Sequence, residues 1–157
     1  MSLILATGSN IGDKLKNLSI AQDLLSQNFQ LIKASRVYTS EPVDYLEQPE
    51  FFNQVLEFKL PLSGQLETFE IIKAIESQIG TEKTIFKGPR KIDIDIIFYG
   101  LEHFDHDKLT IPHLSWSKRS FVVKPLKELP FYDIIKNNFD VPCVFESNAQ
   151  PINNKDK

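Results

Sequence analysis

The chain has 157 residues, in which 21 Asp and Glu outweigh 18 Lys and Arg to give a net charge of −3 and a pI near 5.6. That length suits one domain with its own core, the acidic balance argues against broad nucleic-acid binding, and no apolar run nears the ~20 residues of a membrane span. The single cysteine, Cys143, excludes an internal disulfide and fits a reducing cytoplasm, so the expected setting is cytoplasmic, with no membrane or nucleic-acid partner.

In chain order, Ser2–Thr7 reads as a buried strand that ends at the turn Gly8-Ser9-Asn10-Ile11-Gly12, where glycine lets another group approach the backbone. The run before that turn is too short and lacks the basic stretch of a signal peptide. Asp13 can cap a helix to Gln27 with Leu15, Leu18, Ala21 and Leu25 on one stripe. Residues 29–39 read as a second strand, 40–50 as a loop with two prolines, and 51–60 as a third strand antiparallel to the second. Pro61 and Ser63 open a second helix, striped by Leu66, Phe69, Ile72, Ile75 and Ile79 and ended by Gly80, with Glu76 at the stripe's border. A loop follows, and over 81–91 Lys83, Lys87, Arg90 and Lys91 face Glu82 alone, a local basic cluster. After the next strand come Leu109-Thr110-Ile111-Pro112-His113, the basic pair Lys118-Arg119, and a short helical turn capped by Ser120 with Phe121, Val122 and Leu126. Periodicity fades beyond Asp140, and 148–157 reads as a frayed tail. The expected organisation is a single domain over 1–140 with a partly disordered extension over 141–157. The order β-α-β-β-α-β predicts an α+β, ferredoxin-like core, an antiparallel sheet flanked by helices; that fold decides no function by itself.

The strand from Ile92 carries the most chemistry. Its alternation predicts Ile92, Ile94, Ile96 and Phe98 toward the core, and Lys91, Asp93 and Asp95 away from it. Two residues of strand set the Asp93 and Asp95 Cα atoms roughly 6.5–7 Å apart. Such carboxylates repel, so one takes a proton or a cation sits between them, and a hard ion such as Mg²⁺ suits oxygen ligands shared with phosphates. Arg90 falls at the edge of the buried face, within reach of an anion. Read alone, D-x-D is also what an ordinary half-solvated strand shows.

Several motifs then fall into one order: Ala6-Thr7-Gly8-Ser9-Asn10-Ile11-Gly12-Asp13, Ser35-Arg36-Val37-Tyr38-Thr39-Ser40-Glu41-Pro42, Gln48-Pro49-Glu50-Phe51-Phe52-Asn53-Gln54-Val55, Gly88-Pro89-Arg90-Lys91-Ile92-Asp93-Ile94-Asp95-Ile96, Leu109-Thr110-Ile111-Pro112-His113 and Arg119-Ser120-Phe121. Over about residues 3–130 the chain resembles the 6-hydroxymethyl-7,8-dihydropterin pyrophosphokinase family. The resemblance implies transfer of pyrophosphate from ATP, the co-substrate, to the hydroxymethyl group of the dihydropterin, leaving AMP, by a monomer. It implies two Mg²⁺ ions on Asp93 and Asp95, with Arg90 and Lys83 also catalytic. It makes Arg90, His113 and Arg119 the phosphate-binding set, with Glu76, Lys83, Lys108 and Thr110 as further ATP contacts. For the pterin it implies stacking between Phe51 and Phe121, pairing with Asn53, and contacts around Gly8, Ser40 and Val43.

The chain departs from the family's pattern at one place. The family's Gly-Arg-x-Arg segment and its Arg-Trp pair read here Gly80-Thr81-Glu82-Lys83 and Phe86-Lys87. Lysine keeps the charge but loses the bidentate fork, and threonine keeps neither. Three expectations follow: an active pyrophosphokinase, a relative that binds both substrates but turns over poorly, and a ferredoxin-like nucleic-acid module, which the acidic pI disfavours.

Overall fold

The computed structural model describes residues 1–40, 49–80 and 90–152. Val43 and Lys83 lie outside them. The first strand, β1 (Ser2–Ser9), is the second strand in from one edge of the main sheet and is buried along almost its whole length, which is why both its faces are apolar. Asp13 caps α1 (Lys14–Ser26) by accepting from Lys16 N at 3.1 Å. The expected strand over 29–39 divides into β2 (Leu31–Ala34) and β3 (Tyr38–Ser40), both antiparallel to β4 (Phe51–Lys59). Ser35 causes the break: its N–H donates to Val55 O at 2.9 Å, while its hydroxyl oxygen accepts from Val55 N at 3.0 Å. A side chain thus replaces a ladder carbonyl.

Helix α2 (Gln65–Ile79) ends at Gly80, whose φ of 98° is a left-handed cap that glycine adopts without strain. The chain then forms β5 (Asp93–Tyr99), the hairpin β6 (Phe104–His106) and β7 (Leu109–Ile111), and the short helices α3 (Ser120–Leu126) and α4 (Tyr132–Asn138). The main sheet runs β5-β1-β4-β3-β8, where β8 is Gln150–Pro151, with β2 also on β4. Helices α1 and α2 cover Leu3, Leu5, Phe58, Ile94 and Ile96 on one face. On the other, Trp116, α3 and α4 cover Ile4, Val55, Ile97 and Phe98. The sheet therefore has helices on both faces.

Two sequence expectations change here. The register of β1 on β5 passes from Leu5↔Ile96 to Ile4↔Phe98, so Ile97 is an inserted residue. This bulge shifts the alternation, and Phe98 packs in the second core rather than with Ile92, Ile94 and Ile96. The tail read as frayed from Asn148 is instead packed as far as it is described. Phe145 joins the second core, Ala149 is fully buried, and β8 (Gln150–Pro151) pairs with β3. Among the described residues, no helix is long and apolar enough to cross a membrane.

Candidate active site

Residues paired across adjacent strands point to the same face of a sheet. One such row runs Asp93, Gly8, Asn53, Tyr38 across β5, β1, β4 and β3, and Asp95 pairs with Ala6 in the parallel row beside it. Asp93, Asp95 and Asn53 therefore share the face that α3 covers farther along, where α3 packs on β4 and β3. Gly8 leaves a gap in that row. A Cβ there would stand 3.2 Å from Asn53 Oδ1, a tight contact, and 3.5 Å from Phe51 Cδ1, an ordinary one. Asn53 is buried, and its Nδ2 donates to Ser40 Oγ at 2.6 Å.

Arg90 is only 8% exposed, and its guanidinium lies over the Phe51 ring, 5.4 Å from the centroid, with Nη1 3.6 Å from Asp93 Oδ2. The sequence expectation puts Arg90 at the edge of the face that Ile92, Ile94 and Ile96 bury, and it lies instead on the Asp93 side. Regular strand begins only at Asp93, so the alternation does not extend back to it. Asn10 fixes its backbone: Arg90 N donates to Asn10 Oδ1 at 2.8 Å, and Asn10 N donates to Arg90 O at 3.2 Å. Asn10 Nδ2 also donates to Pro49 O at 3.1 Å, tying three segments together. Arg90 Nε is buried with no hydrogen-bond partner among the described residues. Desolvating a charged donor without a partner is costly, so this group suits an incoming anion.

Burial, and then the neighbouring charge of Asp93, push the Asp95 carboxyl up to about 7, against the pull of Lys73 and Arg119. A divalent cation would relieve both causes. Among the described residues no cluster of three or more acidic, His or Cys side chains is placed to hold a metal. Two carboxylates with substrate and water oxygens are the donor set a hard ion such as Mg²⁺ takes, so these residues fit it.

Glu76, expected as an ATP contact, is buried and already committed. Its Oε2 accepts from Ile94 N at 2.7 Å and its Oε1 from Lys73 Nζ at 2.8 Å. It thus pins α2 to the peptide between the two aspartates and holds Lys73 in place. A cavity of about 420 Å³ opens beside Asp95. Its apolar wall includes Phe69, Ile72, Ile96 and Leu109, and its polar wall Lys73, Thr110, His113 and Arg119. His113 N donates to Ile97 O at 3.0 Å, and its Nδ1 accepts from Ser115 N at 3.1 Å, which puts the proton of the neutral ring on Nε2. Arg119 lies over Phe121, 5.6 Å from the ring centroid, a second arginine–phenylalanine pair beside that of Arg90 and Phe51. Lys108 also lines the cavity but is exposed, 4.0 Å from Glu70.

The sequence reading missed Asn10 and Lys73. Asn10 had a cue in its place within a Gly-Ser-Asn turn. Lys73 had one in its i,i+3 spacing to Glu76, which puts the two on one helix face.

Comparison with known proteins points to one family. The sequence model of the 7,8-dihydro-6-hydroxymethylpterin-pyrophosphokinase (HPPK) family matches residues 4–130. The chain is 35% identical over 127 residues to the 2-amino-4-hydroxy-6-hydroxymethyldihydropteridine pyrophosphokinase of Bacillus subtilis, covering 80% of this chain and 75% of that protein. It is 36% identical over 129 residues to the folic acid synthesis protein fol1 of Pneumocystis carinii, covering 82% of this chain but only 17% of that protein's length. Among solved structures, a Plasmodium falciparum HPPK-DHPS triple mutant with pteroate superposes with a TM-score of 0.59 at 14% identity, over 80% of this chain and 39% of that one. At that identity the likeness is one of fold.

Proposed function

The chain belongs to the 7,8-dihydro-6-hydroxymethylpterin-pyrophosphokinase family, and from that premise we propose that it transfers pyrophosphate from ATP to the hydroxymethyl group of 6-hydroxymethyl-7,8-dihydropterin, releasing AMP, a step of folate synthesis. The observation that carries this reading is that two differently built sides of the site, a cavity and a packed polar-aromatic surface, meet at one carboxylate pair. On one side lies a cavity of about 420 Å³ with an apolar wall and a polar wall that carries Lys73 and Arg119, suited to a nucleotide. On the other lies the Gly8 side of the sheet, where Phe51 and Asn53 come close to a position without a side chain, an aromatic face beside an amide that suits a flat ring with donor and acceptor edges.

In this reading the adenine lies against Phe69, Ile72 and Leu109, and the phosphates run toward Arg90, His113 and Arg119, with Lys83, Lys108 and Thr110 as further contacts. The orphaned Nε of Arg90 gains an oxygen partner. The pterin lies between Phe51 and Phe121, its amide edge on Asn53 and on the backbone around Gly8, Ser40 and Val43. Its hydroxymethyl oxygen attacks the β-phosphorus while the bond from that phosphorus to the α–β bridging oxygen breaks, and AMP leaves with that oxygen. The hydroxyl proton passes to an oxygen of Asp95, which lies beside the reacting group in this reading. Asp93 and Asp95 would hold two Mg²⁺ ions, which when bound neutralise phosphate charge and acidify the hydroxyl. Positioning and charge do the rest, as in other phosphoryl-type transfers.

The path β1-α1-β2/β3-β4-α2-β5, with spatial order β5-β1-β4-β3, supports a ferredoxin-like core to which the second helical layer is added. We read the enzyme as a cytoplasmic monomer. Incubation with ATP, Mg²⁺ and the hydroxymethyldihydropterin should release AMP only when the pterin is present. Pterin-independent release, or none, would sink the assignment.

A further inference from the structure

The family match ends at residue 130, yet the chain beyond it returns to the site. Ser120 is the first residue of α3 and sits between Arg119 and Phe121. It is 2% exposed, and the helix it opens has no side-chain cap of its own. The C-terminal segment anchors that uncapped end instead. Ser120 Oγ donates to Ser147 O at 2.8 Å and accepts from Ala149 N at 2.9 Å, and Lys124 Nζ donates to Ala149 O at 2.9 Å. Two residues on, the same segment pairs with β3, Gln150 with Thr39 and Pro151 with Tyr38, and Ile152 N donates to Val37 O at 3.0 Å. Thr39 precedes Ser40, which pairs with Phe51 and accepts from Asn53 Nδ2 at 2.6 Å. One short segment therefore grips both walls of the proposed ring slot, the α3 wall with Phe121 and the β3–β4 wall with Phe51 and Asn53.

We propose that residues 145–152 form a strap that sets the width of the pterin slot, with Ser120 as its positioning residue. The inference rests on the ring-slot reading given above. The segment's partners named above, Ser120, Lys124, Val37, Tyr38 and Thr39, do not line the nucleotide cavity, so its influence falls on the pterin side. Loss of a buried hydrogen-bond pair lets Phe121 and Phe51 shift relative to each other, and stacking affinity depends on that spacing.

The test is calorimetric binding of hydroxymethyldihydropterin and, separately, of Mg-ATP to the full-length wild type and to three variants. Ser120→Ala removes both hydroxyl bonds, and pterin affinity should fall about threefold to tenfold, the scale of a lost buried hydrogen bond, while ATP affinity stays within about twofold. Ser120→Thr keeps the hydroxyl and should restore most of the pterin affinity. Lys124→Met, outside the site, loosens the strap through Ala149 and should give a smaller loss in the same direction, which keeps the proposal testable if a Ser120 variant fails to fold. Unchanged pterin affinity in both Ser120→Ala and Lys124→Met would overturn the strap while leaving the slot standing, as would equal losses for pterin and ATP. A wild type that does not bind the pterin would overturn the slot itself, and the strap with it.

Discussion

On the Gly8 side of the Asp93–Asp95 pair, polar side chains are bonded to one another: Asn53 to Ser40, Asn10 to Arg90 and Pro49. On the α2 side the chain instead leaves an open cavity, with the cations Lys73 and Arg119 and the ring of His113 on its wall. The first side is a shape fixed before any ligand arrives. The second is a charge distribution that a triphosphate would complete. A rigid ring with a fixed pattern of donors and acceptors is selected by geometry, whereas a flexible polyanion is held by charge. Substitutions on the two sides should therefore fail in different ways.

The largest effect should come where the sides meet. Asp95→Asn should lower turnover by about 100-fold or more, the scale of a lost electrostatic group in a preorganised site, while the protein stays folded. The same carboxylate yields a pH prediction. Burial and Asp93 hold Asp95 protonated up to about 7, well above the ordinary carboxylate range. Between those limits the native state binds more protons than the unfolded chain, so the metal-free protein should lose stability as pH rises from about 4 to about 7. Mg²⁺ should flatten that dependence, and so should Asp95→Asn. Denaturation curves at several pH values decide it, and an unchanged slope in Asp95→Asn would contradict the assignment.

Next in size is the shaped side. Phe51→Ala should weaken pterin binding by about 1–3 kcal/mol, as for a lost stacking partner, and leave ATP binding nearly unchanged. A sharp fall in melting temperature with pterin affinity intact would instead make Phe51 a core residue. On the charged side, Lys73→Met should weaken Mg-ATP binding by about tenfold, the value of a charged hydrogen bond, spare the pterin, and lose part of its effect at high salt. Burial works against the charge of Lys73, but its bond to Glu76 and the nearby Asp95 and Asp93 raise its pKa, so it stays cationic. Equal loss for ATP and pterin in Lys73→Met would mean that the residue acts only through Glu76 and β5.

The smallest effect is expected from the basic stretch over residues 81–87. If Lys83 neutralises charge in the transition state, Lys83→Ala should lower kcat more than it weakens ATP binding, and Thr81→Arg should raise kcat severalfold. An unchanged chemical step in single-turnover measurements on both would remove that stretch from catalysis.

The two sides also differed in how far the sequence disclosed them. Local rules sufficed for the Asp13 cap, the Gly80 stop, and the alternation that turns Asp93 and Asp95 away from Ile94. They failed where a distant partner decides the outcome. The Ser35 break needs Val55, the Ile97 bulge needs β1, and the tail strand needs β3. Glu76 read as a border charge because nothing in its helix reveals that Ile94 N on the sheet edge lacks a donor's partner until Glu76 supplies one. Phe51, Asn53 and Phe121 emerged only through the ordered motifs, since each alone looks like a core residue.

The central claim is that both sides of the site deliver their ligands to one carboxylate pair for transfer of a two-phosphate unit. ATP labelled at its β-phosphate tests this most directly. The account predicts that wild-type enzyme with Mg²⁺ moves the label into the pterin product, in amounts equal to the AMP released, and that Asp95→Asn does so at least about 100-fold more slowly. ADP as the nucleotide product, or label that stays out of the pterin, would contradict it.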